Sequence, residues 1–348
     1  MTDFEKVCNF GNLLEGHLKA RRGKRTKREV IEFEMDLAKN LAELSDALCS
    51  GTYRLSAYCC FLVHEPKKRT IHALCYRDRV VQRCVCDQVL APLLDNRLIY
   101  DNAACRAGKG THFALRRLTR FFKEHHQHHG TDGYALKCDI RKFFDFVMHD
   151  VLKEKLRRAV ADDGVYDLLC RVIDSYSAAQ GRGLPLGNQT SQWFALLYLD
   201  SLDRLVKEKL RIRHYSRYMD DCVLLYHDKD YLRHCLDAMT QHLGEDLGME
   251  FNGKTQIFPL KNGVDYLGWH FYLTESGMVV RLLRPLAKQR LKRRLKCMRE
   301  GYASGSLDLT SINMSMVSLC AHLAHGHTWN LRTRVIGGFE LPSPWRVR

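Results

Sequence analysis

Long apolar runs, a signal peptide and Cys-x-x-Cys pairs are all missing from this sequence. The first two absences argue against a membrane-spanning or secreted chain. The third argues against a structural zinc site, because cysteines at that spacing are its usual ligands. The 14 cysteines, which include the adjacent Cys59 and Cys60, are therefore expected to be free thiols in a reducing cytoplasm.

Acidic residues are too few to balance the basic ones. The 348-residue sequence has 40 Asp and Glu against 55 Lys and Arg, which gives a formal charge of +15. Such an excess attracts a polyanion, most commonly nucleic acid, although a merely soluble basic protein is the alternative. Two stretches concentrate the charge without any acid, since residues 19–28 hold seven cations and residues 281–299 hold nine. This placement favours a nucleic-acid partner.

Glycine and asparagine are absent from a turn that usually requires one of them. Two aromatic and apolar runs within residues 215–226 flank Met219, Asp220 and Asp221, and the pattern predicts a β-hairpin with carboxylates at its tip. An acidic pair on such a turn suggests a backbone held for function, which an observed backbone outlier would support. The alternative is a solvated turn with two surface acids.

The rest of the sequence alternates between helical and strand patterns. Residues 3–50 have helical periodicity, with the first basic run on an exposed loop, and residues 134–140 form a short apolar strand that ends near Asp139. The histidine tract 125–129 is expected to be a polar loop. Further helices are predicted within residues 80–94, 113–125, 150–177, 192–206, 231–243, 281–299 and 309–329, and strands within 53–71 and 265–272.

Three carboxylates would converge if Asp139 and the predicted hairpin tip lie in one sheet. Carboxylates suit Mg²⁺, which prefers hard oxygen ligands and leaves room for substrate phosphates. Two such ions can activate a 3′-hydroxyl and stabilise leaving pyrophosphate, while nearby cations hold the triphosphate. Lys67, Lys68 and Arg69, in a predicted hairpin, are available for that role. The pattern therefore indicates a metal-dependent nucleotidyltransferase that acts on nucleic acid.

The central motif is also specific to a family. Tyr218-Met-Asp-Asp221 resembles the Tyr-x-Asp-Asp motif of reverse transcriptases, and other motifs similar to theirs occur in the same order over residues 50–275. Residues 66–71 and 78–82 resemble the fingers strands, and residues 137–144 resemble the motif with the first catalytic Asp. Gly183-Leu-Pro-Leu-Gly187 resembles the loop that contacts template and dNTP, and residues 266–269 resemble the primer grip.

The resemblance implies an α+β right-hand polymerase with fingers, a palm containing an antiparallel sheet, and a helical thumb. It implies Asp139, Asp220 and Asp221 as catalytic residues and, together with Ile140, as ligands of two Mg²⁺ ions or of Mn²⁺. Phe144 falls where the family keeps an aromatic that blocks a 2′-hydroxyl. The implied dNTP and template contacts are Lys67, Lys68, Arg69, Phe144, Leu186, Gly187, Gln192 and Lys254, and the implied primer grip is Leu267, Gly268 and Trp269.

Within the family, Leu186 replaces the usual Gln. The run from Leu186 to Gln192 resembles a signature of diversity-generating retroelement reverse transcriptases, in which this change accompanies errors opposite template adenines. Leu cannot hydrogen-bond the incoming nucleotide, so correct pairing gains less over mispairing. Residues 145–150 depart from that subfamily, and reverse transcriptases of antiphage defence are the close alternative. A non-catalytic RNA-binding module is a further alternative, whereas Phe144 disfavours an RNA-templated RNA polymerase.

The implied division is a helical N-terminal extension over residues 1–50, fingers over 51–132, a palm over 133–275 that includes fingers helices at about 145–186, and a basic thumb with a tail over 276–348. The implied partners are a structured template RNA, the cDNA–RNA hybrid, dNTPs and a small basic accessory protein. We expect no membrane association and no RNase H or endonuclease domain.

Overall fold

The computed structural model describes residues 1–64 and 68–342. Four helices open the chain, namely α1 (Asp3–Cys8), α2 (Phe10–Ala20), α3 (Arg28–Met35) and α4 (Leu37–Cys49). They confirm the helical pattern predicted for residues 3–50. The basic residues 22, 24, 25 and 27 between α2 and α3 are exposed, as expected, whereas Arg21 is partly buried and pairs with Glu34.

An exposed antiparallel hairpin follows, formed by β1 (Cys59–Val63) and β2 (Arg69–Ala73), and it confirms the predicted strand pair. The predicted triphosphate contact Lys67 lies outside the described residues. The chain continues as α5 (Tyr76–Val85), a π-helical turn (Cys86–Leu90) and α6 (Ala91–Asp95). Gly16 lets α2 approach α5 closely, since a Cβ at this residue would lie 3.1 Å from the Val80 carbonyl oxygen.

A four-stranded antiparallel sheet of order β4–β5–β3–β6 forms the centre of the molecule. Its strands are β3 (Tyr134–Asp139), β4 (His214–Tyr218), β5 (Asp221–Tyr226) and β6 (Gln256–Pro259). The helices around it are α7 (Thr111–His129), α8 (Phe143–Phe146), α9 (His149–Ala159), α10 (Asp163–Asp174), α11 (Gln189–Tyr198), α12 (Asp200–Arg204) with a π-helical turn (Leu205–Lys209), and α13 (Lys229–Glu245).

This sheet separates two hydrophobic cores, because successive side chains of a strand point to opposite faces. Leu136 of β3 and Leu224 of β5 join the core that contains α13 and the N-terminal helices. Ala135 and Val223, their neighbours in sequence, join the other core, which contains α7. Both faces of the sheet are covered, and the buried side chains of β3 and β5 are accordingly apolar: Ala135, Leu136, Cys138, Cys222, Val223, Leu224 and Leu225.

The histidine tract is helical, and the prediction of a loop there is wrong. Helix α7 continues through His129 and ends at Gly130, whose φ is +60°. His125 is buried and its Nε2 lies 2.6 Å from the Asp132 carbonyl oxygen, while the His129 ring stacks on His227 at 4.4 Å. Tertiary packing therefore overrides the low helix propensity of histidine.

A second antiparallel sheet contains β7 (Val264–Tyr266), β8 (Trp269–Leu273) and β9 (Val279–Leu283), and a 3₁₀ turn (Leu260–Asn262) precedes it. The prediction of one strand over residues 265–272 is wrong, because the chain reverses at Leu267 and Gly268, which have φ of +46° and +89°. The helix predicted from residue 281 begins only at Pro285, since the preceding residues complete β9.

Three helices end the described chain: α14 (Pro285–Ala303), α15 (Leu309–Leu323) and α16 (Trp329–Val335). In α14, Leu291, Leu295 and Met298 are buried, and the basic side chains of residues 292–294 are exposed. This confirms the predicted apolar stripe surrounded by cations. Among the described residues, none of the helices combines the length and apolarity that crossing a bilayer would need.

Candidate active site

The tip of the β4–β5 hairpin is a two-residue connection with an unusual backbone. Tyr218 pairs with Asp221, and Met219 between them has a φ of +55°. Two-residue hairpin turns normally give such a position to Gly or Asn. A non-glycine residue in this region costs about 1–3 kcal/mol and persists only where its surroundings enforce it. The outlier supports the interpretation of the tip as a backbone held for function.

The sheet register brings the acidic residues together. Asp139, the last residue of β3, is the direct cross-strand partner of Asp221, the first residue of β5. The Ile140 amide donates a hydrogen bond of 3.3 Å to the Asp220 carbonyl oxygen, which fixes the tip against the end of β3. The predicted placement of Asp139 and the hairpin tip in one sheet is therefore confirmed for the backbone.

Two polar side chains that were not predicted as site residues hold these carboxylates. Lys137 Nζ donates to Asp221 Oδ1, and Asn252 Nδ2 donates to Asp139 Oδ2. The Asn252 backbone amide also donates to the Asp139 carbonyl oxygen at 2.8 Å. Lys137 could have been found from the sequence, because it lies two residues before Asp139 and so on the same face of β3. Asn252 gives no such signal, since its contact depends on tertiary packing.

The electrostatics of the site favour a bound cation. Burial raises the pKa of Asp221 to about 6; the nearby Lys137 ammonium lowers it, and the negative charges of Asp139 and Asp220 raise it further. Burial and the charge of Asp139 likewise raise the pKa of Asp220, while Arg69 and Lys137 oppose that shift. Crowded carboxylates with raised pKa values are stabilised when a cation neutralises them.

The donor set fits a divalent metal in chemistry, although the side chains point to other partners. In the part of the chain that the structure describes, no group of three or more His, Cys, Asp or Glu side chains is gathered closely enough to hold a metal ion. Asp139 is turned towards Asn252, and Asp221 towards Lys137. Three carboxylates nevertheless provide the hard oxygens that Mg²⁺ prefers. Ile140 could add only its backbone carbonyl.

The loop over residues 183–187 is bound between α8 and the β1–β2 hairpin. The Leu184 amide donates to the Phe144 carbonyl oxygen at 2.7 Å, and the His72 amide of β2 donates to the Leu186 carbonyl oxygen at 2.8 Å. Gly187 has a φ of +138°, and a Cβ there would lie 2.5 Å from the His72 carbonyl oxygen. Only glycine permits this approach. These contacts place Phe144, Leu186 and Gly187 in one connected surface.

The two phenylalanines of α8 differ in burial. Phe143 is 2% exposed and belongs to the core, whereas Phe144 is only half-buried and contacts the Phe143 ring edge-to-face at 5.5 Å. Phe143 is therefore the ordinary core residue of the pair. Phe144 keeps the accessibility that a contact with substrate requires.

The cationic residues of the prediction lie on two exposed segments. Arg69 is exposed in β2, and its charge lowers the pKa of Asp220, so it acts on the hairpin tip. Lys68 is exposed directly before it. Lys254 is also exposed, and its amide donates to Asn252 Oδ1 at 2.8 Å, which places it on the loop that contacts Asp139.

The remaining predicted contacts are less directly connected to the carboxylates. Gln192 Oε1 accepts a hydrogen bond of 2.9 Å from the Cys105 thiol. Leu267 and Gly268 form the tip of the β7–β8 hairpin, where Leu267 is half-buried and Gly268 is exposed. Trp269 is fully buried and packs against Gly326, beyond α15. Its indole joins the second sheet to α15, so its side chain is not exposed to a primer.

Comparison with known proteins agrees with this architecture. The family model described as reverse transcriptase (RNA-dependent DNA polymerase) matches residues 64–271. A putative COX1/OXI3 intron 1 protein of Saccharomyces cerevisiae is 22% identical over 181 residues, which cover 49% of this chain and 21% of that protein. Protein YkfC of Escherichia coli is 25% identical over 181 residues, which cover 50% of this chain and 47% of YkfC. The chain thus spans less than half the length of either relative.

Two solved structures share the fold. Apo telomerase from Candida tropicalis, truncated from the C-terminal domain, has a TM-score of 0.51 at 14% identity. The alignment covers 68% of this chain and 58% of the telomerase chain. Telomerase from Candida albicans in complex with a fragment of telomeric RNA has a TM-score of 0.50 at 13% identity. The alignment covers 87% of this chain and 61% of the telomerase chain. These likenesses confirm the predicted α+β right-hand polymerase fold.

Proposed function

Because this chain belongs to the reverse transcriptase family, we propose that it is an RNA-directed DNA polymerase that extends a primer on a template RNA with dNTPs. The observation that carries the proposal is the register that places Asp139 beside Asp221 and ties the Asp220 backbone to the end of β3. Phosphoryl transfer requires little more of a protein than positioned carboxylates and neutralised charge.

Each part of the site has a role in this reaction. Asp139, Asp220 and Asp221, with the Ile140 carbonyl, would hold Mg²⁺ or Mn²⁺, which supplies activation of the primer hydroxyl and neutralisation of the phosphates. Arg69 and Lys68 bind the triphosphate from the exposed hairpin. Lys137 holds Asp221 in place and balances part of its charge. Phe144 occupies the space that a ribose 2′-hydroxyl would need.

A non-catalytic RNA-binding module fits these residues less well. A protein that only binds RNA gains repulsion, and no affinity, from three carboxylates beside phosphate. The strained Met219 backbone also lowers the stability of the protein, and RNA binding alone gives no reason to retain that strain.

We further propose error-prone synthesis opposite template adenines, as in diversity-generating retroelements. The support is Leu186, which is bound through its backbone carbonyl and has no side-chain group able to hydrogen-bond a nucleotide. A structured template RNA and a small basic RNA-binding protein would be the partners. Reverse transcription in antiphage defence is the alternative, since residues 145–150 depart from the retroelement pattern.

The test is primer extension by the purified protein on an RNA template with Mg²⁺, comparing dNTPs with rNTPs and sequencing the product. Asp220→Asn is the control, because it keeps the shape of the side chain and removes its charge. DNA product that is lost in Asp220→Asn supports the polymerase, and errors concentrated opposite adenine support the retroelement assignment. Faithful or untemplated DNA favours the defence role. Absence of product, even with co-purifying RNA restored, contradicts the polymerase.

A further inference from the structure

A buried ion pair lies beneath the hairpin that carries the acidic residues. Arg217 of β4 and Asp203 of α12 have side chains that are 1% and 0% exposed. The guanidinium binds the carboxylate through two hydrogen bonds, Nε to Oδ1 at 2.7 Å and Nη2 to Oδ2 at 2.6 Å. Two parallel bonds of this kind fix the orientation of the guanidinium as well as its position.

The third nitrogen of Arg217 reaches the hairpin tip. Its Nη1 donates to the Met219 carbonyl oxygen at 2.9 Å, while Nη2 also approaches the Leu196 carbonyl oxygen of α11 at 3.3 Å. The Met219 carbonyl belongs to the peptide bond that precedes Asp220. Arg217 therefore contacts the backbone of the tip at the residue with the positive φ, directly before the two carboxylates.

Asp203 is a fixed anchor for this contact. Its Oδ1 accepts a hydrogen bond of 2.7 Å from the Tyr215 hydroxyl, and its Oδ2 accepts one of 3.3 Å from Asn102 Nδ2. The Arg217 backbone is held as well, since its amide donates to the Asp101 carbonyl oxygen and its carbonyl accepts from the Ala103 amide. Since both ends of the pair are held, the Arg217 side chain cannot follow a displaced tip.

We propose that Arg217 is a positioning residue for the polymerase reaction, which holds the Met219 peptide so that Asp220 and Asp221 point towards Asp139. This proposal rests on the proposed function. A purely structural role would depend on the hydrogen bonds between Arg217 and Asp203, whereas the positioning role depends on the hydrogen bond from Nη1 to the Met219 carbonyl. A catalytic constellation needs its groups held within about 0.5 Å, and a shift of about 1 Å can lower a rate by about 100-fold.

The first test is Arg217→Lys, in which a single ammonium can still pair with Asp203 but cannot also reach the Met219 carbonyl. We expect the single-nucleotide incorporation rate of the folded protein to fall by about 100-fold, with a much smaller change in the dNTP concentration at half-maximal rate. Tyr215→Phe is the matched control, because it removes one hydrogen bond to Asp203 and leaves the Met219 contact. It should lower thermal stability and keep the rate within about twofold of wild type.

A second variant guards against misfolding. Arg217→Met combined with Asp203→Asn removes both buried charges together, and the Asn side-chain oxygen can still accept the hydrogen bond from the Tyr215 hydroxyl. This double variant should fold and still incorporate nucleotides slowly. If it folds and reacts at the wild-type rate, or if Arg217→Lys loses stability but not rate per folded molecule, the positioning role is refuted.

Hydrogen exchange gives a readout that does not depend on activity. Amides of residues 218–222 should exchange faster in Arg217→Lys than in Tyr215→Phe, in protein without nucleotide or metal. Equal exchange in the two variants would overturn the proposal. A wild-type protein without polymerase activity would instead contradict the proposed function, and the exchange experiment separates these two failures.

Discussion

Replacing Gly187 by Ala tests whether the loop over residues 183–187 and the β1–β2 hairpin form one unit. Gly187 has a φ of +138°, and its Cβ would lie 2.5 Å from the His72 carbonyl oxygen and 3.1 Å from Ile71 Cγ2. The nearest atom belongs to backbone, so it cannot rotate away as the end of a flexible side chain could. The hairpin must therefore move away from the loop.

The expected loss of stability follows from two contributions. An alanine forced into this region of φ costs about 1–3 kcal/mol. Separation of the two segments also breaks the bond between the His72 amide and the Leu186 carbonyl, worth about 1 kcal/mol. We therefore expect Gly187→Ala to lower the free energy of unfolding by about 3 kcal/mol. Because Arg69 moves with the hairpin, the KM for dNTP should rise about tenfold, equivalent to about 1.4 kcal/mol.

Gly181→Ala is the matched control for this experiment. Gly181 lies in the same connection and also has a positive φ, +66°, but its Cβ would meet no atom within 4 Å. This substitution should cost only the backbone strain of about 1–2 kcal/mol and leave the KM unchanged. Urea unfolding and primer extension with varied dNTP concentration measure the two effects. If both variants lose the same free energy of unfolding, the argument is refuted, because the collision with His72 would then contribute no additional destabilisation.

Two further predictions concern the C-terminal helices. Gly326→Ala would place a Cβ onto the buried Trp269 ring and should lower the free energy of unfolding by about 1–3 kcal/mol. Gly244→Ala in α13 is the control, because its Cβ would meet no atom within 4 Å and should not destabilise the protein. Urea unfolding measures both variants, and equal stabilities would contradict the packing of Gly326 on Trp269. Removing three exposed cations of α14 should reduce the slope of log K against log salt for RNA binding by about 2–3, and an unchanged slope would exclude this helix from the interface. These cations are Lys292, Arg293 and Arg294.

The three carboxylates of the candidate site could be placed from the sequence because their signals are local. Short apolar and aromatic runs identified the strand that ends at Asp139 and the two strands on either side of Met219. That the strand ending at Asp139 lies beside the hairpin was a condition of the prediction, and the pairing of β3 with β5 fulfils it. The helical N-terminal region and the apolar stripe of α14 were predictable for the same reason, since each follows from spacing within one segment.

Apart from Lys137, the groups that hold those carboxylates and the hairpin tip could not be predicted in the same way. Asn252 contacts Asp139 across 113 residues of sequence, and Asp203 of α12 pairs with Arg217 of β4. A buried arginine in a strand is unusual, but its partner is identified only by the packing of α12 beneath the hairpin. The reversal at Leu267 was missed because its turn contains only one glycine, and a non-glycine residue takes the other positive φ.

The position of the loop over residues 183–187 and its proposed effect on nucleotide selection depend on different groups. Leu186 is bound to β2 through its carbonyl oxygen, and Gly187 sets the distance to the same strand through its missing side chain. Neither contact depends on the Leu186 side chain. That side chain can therefore change without moving the loop relative to Phe144 or Arg69. We therefore expect substitutions of Leu186 to change fidelity, as proposed, and to leave the arrangement of the carboxylates, Phe144 and Arg69 unchanged.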